Sequence, residues 1–431
     1  MQLTTPARRS ALRARLSTAA CVLLAAATPA VGHADDTTPT TQLELSSLLY
    51  GENQRTTIFE PAVRATRLFS NGQSVSAEIQ VDAMTGASPS GAVATNQVQT
   101  TTSASGTTQS VQAGVLPTSY FQDVRGSLDA DWSLPVGSLF TATSSVHVSK
   151  EKDYRSLGGS ESFSLDLFQR LVTITAAASF NHDQVTPVGG TAIGLSDGTT
   201  MLNFRSNPKR VSSGMLGISR ILTRRWMMGV SGTREIEKGY LTEPYKVVSV
   251  FSPINTPGED APPGTGSTTT LREKRPDLRT RISGSLSSVY HLSDDILYSS
   301  YRYYWDDWGV RSHTLDFKVR HDLPNHAFVQ PHVRLYAQTA ADFFRFELFQ
   351  GDPLPAFASS DERLGPLRTA TVGATYGFRI PNAPGDWAVR GEYIRQWGNG
   401  HPDYAPSVQR DINLFPGVNT GTLLVTYSIG F

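Results

Sequence analysis

The stretch SVSAEIQVDAM, residues 74–84, decides the fold class of this chain. Its odd positions from 75 to 83 hold Val, Ala, Ile, Val and Ala, whereas its even positions from 74 to 82 hold Ser, Ser, Glu, Gln and Asp. Successive side chains of a β-strand point to opposite faces, so this period of two predicts a strand with one apolar and one charged face. Residues 123–134 and 327–338 show the same alternation. The pattern therefore predicts an all-β protein.

Sixteen segments of this kind follow one another along the chain. We expect strands near 41–50, 56–69, 73–85, 120–134, 138–153, 161–169, 171–183, 209–222, 226–236, 276–290, 296–306, 311–322, 327–338, 365–380, 386–397 and 420–431. Every second connection is short, and most of the others are long. An even number of strands joined by alternating short and long connections is typical of a transmembrane antiparallel up-and-down β-barrel. The short turns are then periplasmic and the long loops extracellular.

The first 34 residues have the pattern of a cleaved export signal. Four arginines between positions 8 and 15 precede an apolar stretch at 19–30, and Gly32-His33-Ala34 is a small-x-small cleavage pattern. We expect cleavage after Ala34 and a barrel over 35–431. The lone cysteine, Cys21, would leave with the signal.

Composition restricts the location and the partners. Without the four signal arginines the chain has 34 basic and 38 acidic residues, a net charge of −4, which disfavours a nucleic-acid partner. No apolar run reaches the length of a helical span. Aromatic residues gather at the strand ends, as expected at membrane interfaces. The sequence therefore predicts a protein of the bacterial outer membrane that contacts lipid. Loops near 86–119 and 252–270 are rich in Thr, Ser, Gly and Pro, and we expect them to be mobile.

The end of the chain resembles a barrel assembly signal. Its last strand has alternate apolar residues and ends on Phe431, with Tyr427 on the same face. This resemblance implies that the barrel assembly machinery is a partner. A periplasmic partner of unknown identity is a further expectation of the closed-barrel alternative given below.

Two internal stretches resemble the domain-of-unknown-function 3570 family. They are DAMTGASP at 82–89 and YYWDDWGVRSHT at 303–314. The resemblance extends from about residue 41 to the end and implies an outer-membrane protein. It implies no catalytic or binding residues.

Charged residues on the inward face are unevenly distributed. An acidic group on the third and fourth strands and a basic group on the tenth to thirteenth strands would face each other across the lumen. The acidic wall comprises Glu78, Asp82, Asp123, Asp129 and Asp131. The basic wall comprises Arg279, Arg281, Arg302, Lys318, Arg320 and Arg334. Opposed charges create a transverse field of the kind that orients polar solutes in a pore. The sequence therefore predicts a passive or weakly selective pore for small hydrophilic solutes.

Two other functions remain open at this stage. Burying unpaired charge is costly, so the same residues would otherwise pair and close the lumen, giving a structural or assembly barrel. Asp306, Asp307 and His313 suggest a hydrolase at the rim, although a turn with side-chain hydrogen bonds explains the two aspartates equally well. The His-Asp pairs at 182–183, 321–322 and 401–403 lack a third nearby ligand, and no cofactor fingerprint occurs. We therefore predict no metal, no cofactor and no catalytic residue.

Overall fold

A computed structural model describes residues 39–53, 55–94, 98–102, 108–251, 268–401 and 413–431. Sixteen antiparallel strands pair in chain order and the last pairs with the first, which closes the sheet into a barrel. We number these strands β1 to β16. Their bounds are β1 Thr40–Glu52, β2 Thr56–Leu68, β3 Ser74–Pro89, β4 Thr118–Val136, β5 Phe140–Lys150, β6 Tyr154–Leu167, β7 Val172–Val185, β8 Asn207–Thr223, β9 Trp226–Gly239, β10 Leu278–His291, β11 Asp295–Asp306, β12 Arg311–Leu323, β13 Ala327–Gln338, β14 Leu367–Phe378, β15 Asp386–Gly398 and β16 Val418–Gly430. The predicted fold class is therefore confirmed.

The barrel closes next to the end of the chain. The amide of Thr41 donates to the carbonyl of Phe431 at 2.7 Å, and the amide of Phe431 donates back at 2.9 Å. Closure leaves neither β1 nor β16 as a free edge. Within the described ranges, no helix combines the length and the apolar character that crossing a membrane requires. The predicted export signal falls in residues 1–38, outside the described residues.

One predicted hairpin has the wrong boundaries. The sequence predicts strands at 138–153 and 161–169. In the structure the chain turns at residues 151–153, and the pairing of β5 with β6 begins at Lys150 and Arg155. Two adjacent glycines, Gly158 and Gly159, suggest a connection, but both lie inside β6. Gly158 is needed there because a Cβ would lie 1.9 Å from the Oδ1 atom of Asn181 on the adjacent strand.

The outer surface of the barrel is apolar. Large exposed side chains such as Ile79, Val124 and Leu216 alternate with polar residues that point inward. Aromatic pairs lie on the outer face near both ends: Trp226 with Tyr290 at 6.4 Å between ring centroids, and Tyr303 with Trp305 at 5.5 Å. An apolar outer band bordered by aromatic rings is the surface that lipid requires.

The two ends of the barrel differ. We call the end at which β1 begins and β16 ends, and at which every connection has two to seven residues, the short-turn end; the opposite end is the long-loop end. Five long connections leave the long-loop end, after β3, β7, β9, β13 and β15. Described parts of these connections fold into a structure of their own, which covers the barrel and is described below.

Candidate functional site: the barrel interior

The acidic wall lies on the inward face of β3 and β4, but basic partners accompany it. Arg64 of β2 bridges Glu78 at 3.3 Å and Asp131 at 3.1 Å. Asp129 contacts Nδ1 of His147 at 2.6 Å. The carboxylates of Asp129 and Asp131 keep about a third of their side-chain surface exposed. The acidic side of the interior is therefore only partly buried at this height.

The basic wall is also accompanied by residues of opposite charge. Asp316 lies 2.6 Å from Arg334 and 3.8 Å from Lys318, and it accepts a hydrogen bond from His332 at 3.1 Å. Arg320 bridges Asp322 at 2.8 Å. Lys318, Arg320 and Arg334 are each about a third exposed. The basic side chains of the short-turn half are therefore only partly buried as well.

Charges in the long-loop half are paired and buried. Arg125 bridges Asp82 at 2.9 Å with a side chain that is 1 % exposed. Arg279 bridges the fully buried Asp306, and its guanidinium lies 4.3 Å from the ring centroid of Trp308. These two bridges take one member of the acidic wall and one of the basic wall out of contact with water.

Two further members of the basic wall lie near this buried region. Arg281 binds Glu235 and Glu237, at 2.9 Å each, and is 12 % exposed. Arg302 donates to the hydroxyl of Ser283 at 3.3 Å. The two walls lie half a turn apart in the ring of sixteen strands, but each is partly neutralised by its own neighbours. The two walls are therefore not uncompensated blocks of one charge, as the sequence predicts them to be.

Three of the partners that the sequence analysis missed lie on strands that it did not compare. Arg64 belongs to β2, and Glu235 and Glu237 belong to β9. All three occupy inward positions of the alternating pattern. Including every strand in the charge comparison would have found them.

The long-loop end is covered by folded connections, which we call the loop cap: residues 90–94, 240–251, 268–277, 339–366 and 413–417. Its core is a cluster of buried apolar side chains that also includes tip residues of the β11–β12 turn. The cluster contains Val93, Leu241, Trp308, Val310, Ala341, Phe343, Phe344, Phe346, Leu364, Leu367, Leu414 and Phe415. Two inward residues of the barrel, Tyr304 and Tyr336, pack against it. The loop cap therefore sits on the inner wall and not beside the barrel.

One segment of the loop cap reaches across the mouth of the barrel. The connection after β9 contributes Val247, whose amide donates to the carbonyl of Ser90, just beyond β3, at 2.9 Å. The amide of Val93 donates to the hydroxyl of Ser249 at 3.0 Å. The hydroxyl of Tyr245, in the same connection, donates to Asp153 in the β5–β6 turn. Since β3 and β9 are six strands apart in the ring, these contacts span the opening.

Buried charges hold the loop cap together. Arg275 bridges Glu273 at 2.6 Å and Asp361 at 2.7 Å, and the side chains of this group are 2 % exposed or less. Burial alone would raise the pKa of Asp361, but Arg363, Arg275 and Lys246 outweigh burial and hold this pKa well below its usual range. Burial lowers the pKa of Lys246. Asp361 is therefore ionised within the loop cap at neutral pH.

The predicted loops near 86–119 and 252–270 are only partly described. Ala92, Val93 and Ala94 of the first are buried in or near the loop cap, which its composition does not indicate. Residues 103–107 and 252–267 lie outside the described residues. Mobility of these loops stays a prediction.

The structure does not assemble the candidate hydrolase at the rim. Asp306 points inward to Arg279, and it also accepts hydrogen bonds from the amides of Trp308 and Val310. His313 lies on the outer face, where its Nδ1 contacts the hydroxyl of Tyr301 at 2.7 Å. Asp307 accepts from the amide of Thr280 at 2.9 Å. The two aspartates therefore form the hydrogen-bonded turn, and the three side chains do not converge.

The proposed assembly residues lie on the outer face at the short-turn end. The ring of Tyr427 packs against Trp387 at 4.7 Å, and its hydroxyl donates to the carbonyl of Pro384 at 3.0 Å. Phe431 is 72 % exposed. Its contacts within the chain are therefore few enough to leave the ring accessible.

Comparison with known proteins identifies a family but no activity. The model of a family described as "Protein of unknown function (DUF3570)" matches residues 13–429. No curated protein matches this chain in sequence.

Solved structures with a similar strand arrangement are distant in sequence. The outer membrane protein opdK of Pseudomonas aeruginosa is 8 % identical, with 91 % of this chain and 99 % of that chain covered and a TM-score of 0.39. OpdO of the same organism is 9 % identical, with 91 % and 96 % covered and a TM-score of 0.38. A mutant of the ferric enterobactin receptor of P. aeruginosa is 10 % identical, with 84 % and 53 % covered and a TM-score of 0.40. The architecture described above rests on the strand pairing of this chain itself.

Proposed function

We propose that this chain, which belongs to the DUF3570 family, is a bacterial outer-membrane pore for small hydrophilic solutes, and that the loop cap limits passage through it. The observation that carries the proposal is the partial exposure of charged side chains on both sides of the short-turn half of the barrel. Charges in a lumen filled with protein would be buried like those of the long-loop half. A sixteen-stranded barrel is also wide enough to hold an aqueous channel.

The loop cap is expected to restrict passage through the proposed pore. Contacts from the β9–β10 connection to residues beyond β3 and β5 cross the mouth, so an extended solute does not meet a straight opening. Passage then requires a narrow route beside the loop cap or its displacement. We therefore expect a small conductance in the wild-type protein and a larger one when the loop cap is loosened.

Planar-bilayer recording of the purified, folded protein tests the proposal. Wild type should conduct weakly, and Asp361→Asn, which weakens the binding of Arg275 and Arg363 in the loop cap, should conduct more. Asp352→Asn, at an exposed loop position, is the matched control and should behave like wild type. If all three proteins are folded and none conducts, the pore is wrong, and a closed structural barrel becomes the better account.

Ion selectivity tests which residues line the route. Asp129→Asn with Asp131→Asn should shift the preference toward anions, because the pair removes negative charge from the partly exposed half. Arg334→Gln with Arg390→Gln should shift it toward cations; Arg390 lies on β15, beside Glu392, and its side chain is 41 % exposed. Arg281 is unsuitable for this test, since its removal leaves Glu235 and Glu237 buried without it. Reversal potentials in a salt gradient measure both shifts, and both should shrink at 1 M salt, where the Debye length is about 3 Å. Unchanged reversal potentials in both double variants would place the conducting route elsewhere.

Location and assembly belong to the same proposal. The short-turn end would face the periplasm and the loop cap the outside. An epitope placed at Gly351, an exposed residue of the loop cap, should then be detected on intact cells, and one at Asn382 only after permeabilisation. Removing the exposed ring with Phe431→Ala should lower the folded yield in cells if the assembly machinery reads it, while refolding of purified chains in detergent should change little.

A further inference from the structure

Three carboxylates meet at the rim of the barrel, and one of them, Asp123, belongs to the acidic wall. Asp123 lies near the long-loop end of β4, and Glu151 and Asp153 lie in the β5–β6 turn. One oxygen from each residue lies within 4.8 Å of the others. The sequence analysis compared residues close together in the chain, so it did not bring residue 123 next to 151 and 153.

The central carboxylate lacks the partner that its burial demands. Glu151 is 5 % exposed, and its Oε2 atom is buried without a hydrogen-bond partner in the part of the chain that the structure describes. An unpartnered buried carboxylate oxygen is costly unless a proton or a cation compensates it. The site therefore offers a buried carboxylate oxygen, next to two further carboxylates, that a cation from solution would compensate.

The neighbouring cations are shared with other acids or point away from Glu151. Arg125 attracts Glu151 but also bridges the buried Asp82 at 2.9 Å. Lys150 ends β5 on the outer face, with an exposed side chain. No ion pair joins Lys150 or Lys152 to the three acids among the described residues. A ligand from solution can reach the acids, because residues 122–124 and 150–152 line a shallow cavity of about 540 Å³.

We propose that Asp123, Glu151 and Asp153 bind a divalent cation at the rim of the barrel, with calcium preferred over magnesium. Carboxylate oxygens are the ligands of both ions, but calcium accepts flexible, partly bidentate coordination completed by water. Magnesium holds its own waters and demands near-octahedral geometry. Tyr245 of the loop cap donates its hydroxyl to Asp153 and so links the bound ion to the loop cap.

Binding of Ca²⁺ to protein refolded in detergent, and therefore free of cellular glycolipid, tests the site. After treatment with a chelator, isothermal titration should find one Ca²⁺ per chain, with weaker binding of Mg²⁺. Glu151→Gln keeps the shape of the side chain but removes one charge and one ligand oxygen, and it should weaken Ca²⁺ binding at least tenfold. Asp352→Asn, an acid outside the cluster, should bind as wild type does.

Two results would overturn the proposal. One is folded wild type that binds no Ca²⁺, which would mean that Glu151 is compensated by a proton. The other is Glu151→Gln that binds as tightly as wild type. Asp123→Asn provides a second variant if Glu151→Gln does not fold, and it should weaken binding in the same way. Neither result depends on whether the barrel conducts.

Discussion

The two halves of the barrel interior are built from the same kinds of residue but hold them in different states. In the short-turn half, Arg64 keeps 40 % of its side-chain surface exposed while it bridges Asp131. In the long-loop half, Arg279 keeps 1 % while it bridges Asp306. Exposed ion pairs contribute little because water screens them, whereas breaking a buried pair leaves a charge that nothing compensates. Position along the barrel axis, and not residue type, therefore decides whether an inward charged side chain is partly exposed or buried.

Introducing a charge should separate the halves most clearly. Thr369 and Thr426 both point inward, but Thr369 is 5 % exposed under the loop cap and Thr426 lies in the short-turn half. Thr369→Arg should destabilise the protein by about 3–5 kcal/mol, because the cation is buried without a partner. Thr426→Arg should cost less than about 1 kcal/mol, because water solvates the cation. Folded fractions in urea, read from heat-modified electrophoretic mobility, give both values. Equal losses would mean that both halves are filled.

Removing a charge should give a smaller difference in the same direction. Arg279→Gln should cost about 3 kcal/mol, because Asp306 then stays buried without its cation. The loss is moderated by the hydrogen bonds that Asp306 also accepts from Tyr304, Trp308 and Val310. Arg334→Gln, in the short-turn half, should cost less than about 1 kcal/mol. The same urea titration measures both, and a larger loss for Arg334→Gln would contradict the comparison.

Acid should loosen the loop cap. The pKa of Asp361 is depressed on folding, so its contribution to stability is present above its unfolded value of 3.8 and is lost as the pH falls below it. Hydrogen exchange in residues 339–366, corrected for the intrinsic rate, should therefore accelerate severalfold in wild type near pH 3. Asp361→Asn should show accelerated exchange already at pH 7 and a smaller change with pH. If wild-type exchange does not respond to acid, Asp361 does not stabilise the loop cap in this way.

The sequence predicted the barrel because every strand pair repeats one local rule. The alternation of apolar and polar residues showed which side chains face outward, and the alternating lengths of the connections indicated an up-and-down strand order. Sixteen strands were therefore predicted with only one hairpin misplaced. The misplaced hairpin is the one between β5 and β6. The sequence analysis included Glu151, Lys152 and Asp153 in the strand, whereas these residues form the turn.

The loop cap was not predicted because its contacts are neither periodic nor local. Its core joins Val93 to Phe344 and Phe415, from connections that are remote in the chain. Thr- and Gly-rich composition around Val93 gives no sign of this burial. The lumen charges were predicted as walls for a related reason: alternation shows which residues face inward, but not which neighbours neutralise them.

The small sheet of the loop cap determines when this part of the molecule is able to fold. Residues 247–251 pair antiparallel with 268–272 and parallel with 347–349, which belong to a connection four strands further along the chain. Closing so long a loop is entropically costly, and pairings between remote segments form slowly. These connections come together only after β10 to β13 have inserted and paired. We therefore expect the barrel wall to form before the loop cap. A newly inserted molecule would thus pass through a state in which the loop cap does not yet cover the long-loop end of the barrel.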